Sequence, residues 1–101
     1  MLDLLSAGRL RPGAALHAEY LSKTYQAELL ADGRVRYGEN AYTSLSSAGA
    51  AVKREARGAD APESVTATDG MDFWRAEDAV AGDVVTIKEI RRRAAEARPA
   101  G

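Results

Sequence analysis

The sequence contains no cysteine, which removes disulfide staples, thiolate nucleophiles and cysteine-based zinc sites together. It holds a single histidine, His17, so a metal site would rest almost wholly on carboxylates, which argues against a transition-metal enzyme. Long apolar runs are missing as well. Nothing approaches the roughly 20 residues that span a bilayer, and the opening Met1-Leu2-Asp3-Leu4-Leu5 lacks the basic region of a secretory signal. The expectation is a soluble, cytoplasmic protein with no membrane partner. Net charge is only −1, which is not the arithmetic of a strongly basic nucleic-acid binder. Hydrophobic (46%) and charged (29%) contents are near average, so disorder, coiled coil and collagen-like repeats are poor readings.

What is present is 101 residues, one small domain's worth of chain. The expected domain covers residues 1–98, with 99–101 as a disordered tail. Charge is unevenly spread along it. Residues 1–57 hold eight Lys/Arg against six acids, and residues 58–101 hold six against nine. A local basic face in the first half is therefore compatible with the neutral total.

Residues 2–7 read as a short helix closed by Gly8, and Arg11-Pro12-Gly13 as a turn. From Ala14 to Tyr20 the pattern alternates, with Leu16, Ala18 and Tyr20 on one face and His17 and Glu19 on the other, as a half-buried strand requires. Thr24–Leu30 and Arg34–Tyr37 also alternate, on either side of Ala31-Asp32-Gly33. A two-residue loop would set Leu29 across from Arg36. A three-residue loop sets Leu29 against Val35 and Glu28 against Arg36, and puts Gly33 where the left-handed residue of a bulged turn belongs. The three-residue loop is the consistent choice. After Gly38-Glu39-Asn40, a short strand at 41–43 precedes a helix that Ser44 or Ser46 caps and Gly58 stops. Leu45, Ala48, Val52 and Ala56 form its inner stripe, leaving Lys53, Arg54 and Arg57 outside.

Residues 59–70 read as a long surface loop, Asp72–Ala76 as a strand with Phe73 and Trp74 on opposite faces, and Val84-Val85 as one more extended piece. Thr86 and Glu89 have capping-box spacing for a last helix, whose Arg91-Arg92-Arg93 run wraps too far round to form one patch. The fold class is α+β: a small antiparallel sheet, a hairpin plus short strands, packed by two or three helices.

Catalytic chemistry is sparse. His17 lies on the outer face of its strand with no Ser/His/Asp arrangement near it in sequence, Glu77-Asp78 reads as a solvated pair in a polar turn, and the glycines form no phosphate-cradling pattern. No cofactor, no metal and no catalytic residue is expected.

The ordered set of features resembles one family. It comprises the leucine-rich helix ending in Gly8, Leu10-Arg11-Pro12-Gly13, two strands with Tyr20 and Tyr25-Gln26-Ala27-Glu28, the Asp32-Gly33 hairpin, Tyr42-Thr43-Ser44-Leu45-Ser46-Ser47-Ala48 opening a helix, and Asp69-Gly70-Met71-Asp72-Phe73-Trp74. This resembles the RAMA domain (restriction enzyme and adenine methylase associated), and is similar to the carboxy-terminal domain of cell-cycle adenine methyltransferases. The resemblance implies a small α+β domain that helps bind DNA, in some relatives DNA carrying N6-methyladenine, tethered to a methylase, nuclease or protease-like domain. Its serine before the helix matches Ser44 (or Ser46), and its aromatic after the glycine turn matches Trp74. Where the family reads Asn-Gly-Trp, this chain has Asp69, Gly70 and Met71.

The function so implied is a non-catalytic module of a restriction-modification type system that binds double-stranded DNA, with a methylase or nuclease protein as further partner. Its expected contacts are Lys23, Arg34, Arg36, Lys53 and Arg54 to phosphates, Ser44 and Ser46 beside the helix start, and Tyr42 and Trp74 as aromatic members. The hairpin arginines are expected to be exposed beside the serine-headed helix. The competing expectation is a protein-interaction domain that kept the fold and lost the DNA face.

Overall fold

A computed structural model describes residues 2–58 and 60–97 of the chain. The elements follow in the order α1 (Leu2–Ser6), β1 (Ala15–Tyr20), β2 (Lys23–Leu29), β3 (Val35–Tyr37), β4 (Asn40–Tyr42), α2 (Leu45–Arg57), α3 (Glu63–Thr66), α4 (Gly70–Phe73), β5 (Arg75–Glu77), β6 (Val84–Thr86) and α5 (Ile87–Glu96). The six strands form one antiparallel sheet in the order β4-β3-β2-β1-β5-β6. The architecture is α+β as expected, but the sheet is larger than a hairpin with short additions, because β5 and β6 extend it beyond β1. Among the described residues there are five helices, two of only four residues, where two or three were expected. The expected tail at 99–101 lies outside the described residues.

Alternation decides which sheet face is covered. Leu16, Ala18, Ala27, Leu29, Val35 and Ala76 are buried on one face, while Glu19, Thr24, Gln26, Arg36, Arg75 and Glu77 are exposed on the other. The helices add Leu4, Leu45, Ala48, Val52, Ile87 and Ile90 to the covered side, and Trp74 is the largest side chain fully enclosed there. Leu29 pairs with Val35 and Glu28 with Arg36, the register that the three-residue loop requires. Gly33 has φ 88° and its N–H donates to Leu30 O, so the position needs a residue that tolerates the left-handed region.

Two stretches differ from expectation. Residues 59–70 are not a featureless surface loop: α3 follows Pro62, whose carbonyl accepts from Val65 and Thr66 N–H, and Thr66 is buried. Asp72–Ala76 is not one strand. Asp69 accepts from Met71 N–H and starts α4, so the chain is helical through Phe73 and only extends from Arg75.

At the opposite end, Thr86 caps α5 by accepting from Glu89 N–H, but the Glu89 carboxylate does not reach back. Arg92 and Arg93 take it instead, and their hydrogen bonds pull its pKa down to about 2. Asp78, expected to be solvated, is fully buried. It accepts from Val80 and Ala81 N–H and from Arg9 (3.0 Å) and Arg93 (3.2 Å), joining the segment after α1 to the β5–β6 turn and to α5. Burial works against its charged form, but those donors outweigh it and hold its pKa below the usual range.

Asp78→Ala should therefore lower unfolding free energy by about 3–5 kcal/mol in urea melts, since two arginines lose their buried partner. Acid unfolding gives the pH signature. Both Asp78 and Glu89 have depressed folded-state pKa values, so their stabilisation is complete above the unfolded value of Glu89, 4.5, and lost as pH falls towards 2. Urea midpoints should be level at neutral pH and fall across that window, less steeply in Asp78→Asn.

Candidate nucleic-acid interface

Helix α2 carries most of the polar groups that sequence points to, and its two ends are built differently. At the head, Ser44 is the N-cap: its Oγ accepts from Ser47 N–H at 3.1 Å and lies 2.9 Å from Ser47 Oγ. Ser46 Oγ accepts from Gly70 N–H at 3.1 Å. Neither hydroxyl is idle. The start of α4 sits directly against the α2 head, so close that a Cβ at position 70 would lie 2.3 Å from Ser46 N and 2.4 Å from Leu45 C. Only glycine fits. Leu45 O in turn accepts from Trp74 Nε1 at 3.0 Å.

This geometry removes Trp74 from the set of ligand contacts. Its indole is wholly buried, edge-on to Phe73 at 5.3 Å, and its one polar atom is spent on the α2 backbone. Of the Phe73–Trp74 pair, Trp74 is the core residue. Phe73 stays half-buried, edge-on to Tyr20 at 6.2 Å.

Gly33, Thr43, Ser44, Leu45, Ser46, Met71 and Arg91 line a cleft of about 260 Å³ at the α2 head. The hairpin tip and the serine-headed helix are thus neighbours, as expected. Arg91 was not legible as a member: it comes from α5, and only the folded chain brings it there, with Asp3 as its ion-pair partner at 3.2 Å. Tyr42 is half-buried at the end of β4, two residues before the cap.

The hairpin arginines do not form a free cationic face. Arg34 Nε donates to Asp32 at 2.7 Å and Arg34 N–H to the other oxygen at 3.0 Å. These bonds hold the Asp32 carboxyl below its ordinary pKa, the backbone N–H foremost. Arg36 lies 3.9 Å from Glu28, its cross-strand partner. Both pairs are about half exposed, so their energies are small, but their charges cancel locally.

The tail of α2 carries a cluster of basic residues without ion pairs. Among the described residues, Lys53, Arg54, Arg57 and Lys23 make no ion pair. Lys53 Nζ donates to Ala67 O at 3.1 Å and stands over the rings of Tyr20 (5.5 Å) and Phe73 (5.4 Å). Arg57 donates to Tyr20 OH and stacks at 5.6 Å from the same ring. These contacts orient the two cations without neutralising them. Arg54 projects freely, and Lys23 lies beside Ala56 across a cleft at the end of β2. Sequence reasoning left Arg57 out of the contact set, although its place one turn after Lys53 puts it on the same helix flank.

Gly70→Ala should lower stability by about 2–3 kcal/mol through forced separation of α4 from α2. Tryptophan fluorescence should shift to the red as the indole loses Leu45 and its enclosure; an unchanged spectrum and melting temperature would refute the close-approach argument.

No curated protein matches the chain. The family model for Restriction Enzyme Adenine Methylase Associated (RAMA) proteins matches residues 1–98, nearly the whole length. With its α+β sheet and its Ser44-headed helix latched to the Gly70–Trp74 segment, the chain belongs to the RAMA family.

Proposed function

We propose that this chain is a non-catalytic module that docks on double-stranded DNA through the flank and tail of α2. The observation that carries the reading is the cluster of Lys53, Arg54 and Arg57, with Lys23 at its border, none of which makes an ion pair among the described residues of a chain of net charge −1. Two of its cations are pre-oriented on aromatic rings, which limits the side-chain entropy lost on contact. The family's association with restriction enzymes and adenine methylases supplies a setting in which DNA is at hand. In this reading Arg34 and Arg36 contribute less than the α2 residues, because Asp32 and Glu28 must first release them. The cleft at the α2 head lies about 15 Å from Arg54 along the helix, so it approaches a different part of the duplex.

The non-catalytic part of the reading is supported by where the shifted acids sit. Asp3, Asp32, Asp78, Asp83 and Glu89 all serve arginine pairs. His17 lies opposite Arg75 in the β1–β5 register. The competing reading, an accessory domain that binds protein alone, draws on the neutralised hairpin arginines and the buried Trp74.

Fluorescence anisotropy with a short duplex at several salt concentrations separates the two. Three or four neutralised phosphates give a log–log slope of about −3 to −4. Lys53→Glu/Arg54→Glu should weaken binding at least about tenfold, and Arg34→Glu/Arg36→Glu clearly less. Absence of binding at low salt, or affinity indifferent to salt, refutes the DNA reading and leaves the accessory one. A duplex with N6-methyladenine, run in parallel, tests whether the modified base is preferred.

A further inference from the structure

The turn between β1 and β2 places a leucine where the backbone disfavours one. Leu21 and Ser22 both have positive φ, 49° and 66°, in a two-residue hairpin connection for which Asn-Gly is the favoured chemistry. A bulky apolar residue in that region is an outlier. Its side chain is 53% exposed, so little burial within the molecule offsets the strain. Strain held at an exposed apolar residue points to a contact made outside the chain.

The surroundings indicate which contact. Leu21 stands on the rim of a cleft of about 440 Å³ whose other walls are Lys23, Tyr25, Glu55 and Ala56. Tyr25 and Ala56 are half-buried and give it an apolar floor, while Lys23 and Glu55 are exposed and of opposite sign. Lys23 has no ion-pair partner among the described residues, and Glu55 accepts from the Tyr37 hydroxyl. One patch therefore holds a projecting apolar knob, an apolar socket and one charge of each sign. Such a patch is complementary to itself about a two-fold axis, which is the requirement of an isologous contact.

We propose that the β1–β2 turn and the adjoining edge of α2 form a weak homodimer contact. Leu21 of each protomer seats against Tyr25 and Ala56 of the partner subunit, and Lys23 faces Glu55 of the partner subunit. The surface is small, so the association belongs to the weak, reversible class. It shares Lys23 with the border of the proposed DNA face but does not rest on that reading, because it is measured without nucleic acid.

Sedimentation velocity of the full chain, from low micromolar to near-millimolar concentration, should show a reversible monomer–dimer equilibrium. Leu21→Asn should weaken it at least about tenfold, the loss expected for one buried leucine. The fold is kept in that variant because asparagine tolerates positive φ. Lys23→Glu and Glu55→Lys should each weaken the dimer, and the two together should restore it, because the two-fold axis pairs the exchanged charges again. A monomer at every concentration overturns the proposal, as does a dimer indifferent to all of these substitutions.

Discussion

Everything near the α2 head depends on one close approach, that of the Gly70 backbone to Leu45 and Ser46. No side chain larger than hydrogen fits there, and the contact is fastened at both ends: Gly70 N–H to Ser46 Oγ, and Trp74 Nε1 to Leu45 O. Once the contact is made, the rest follows. Phe73 falls against Tyr20, Lys53 is held over both rings, and β5 leaves the latch in position to pair with β1. The helix that carries the basic residues is thus fixed to the far half of the sheet by a contact without any charge. It is insensitive to salt, whereas contacts made by the cations beside it are screened.

The charged groups divide by the same geography. The arginines of α5 and Arg9 satisfy Asp78, Asp83, Glu89 and Glu96, so the charge at that end is consumed in holding the chain together. Lys53 and Arg57 of α2 rest on rings, and Lys53 also on a carbonyl, contacts that orient a charge but leave its sign exposed. A near-zero total therefore describes two regions of opposite character, one closed and one open. Net charge alone does not distinguish this arrangement from an evenly mixed surface.

Local rules were readable wherever one residue type has one conformational use. The Ala31-Asp32-Gly33 loop with its register, the caps Ser44 and Thr86, and the inner stripe of α2 all follow from alternation, glycine and hydroxyl positions. Reading failed where a long-range contact decides. Leu21-Ser22 gives no turn signal, since leucine at positive φ is a choice that propensity does not anticipate. The segment before Trp74 is helical because Asp69 caps it locally and Gly70 docks, and the docking depends on a helix more than twenty residues away in sequence. Asp78 looked like a turn acid because its two arginines lie 69 and 15 residues distant. Of the site residues, Lys53 and Arg54 lie off the buried stripe of α2 as helical spacing required. The burial of Trp74 and the pairing of Arg34 and Arg36 were not legible, because both are properties of the assembled sheet.

The open sheet has two unclosed margins, β4 and β6, and each is only three residues long. A margin that short presents very few unsatisfied backbone groups to solvent, too few to template growth by an incoming strand. The well-formed ladders, β1 with β2 above all, lie inside. A module that keeps its longest strands in the interior is protected against fibril-like stacking of its copies.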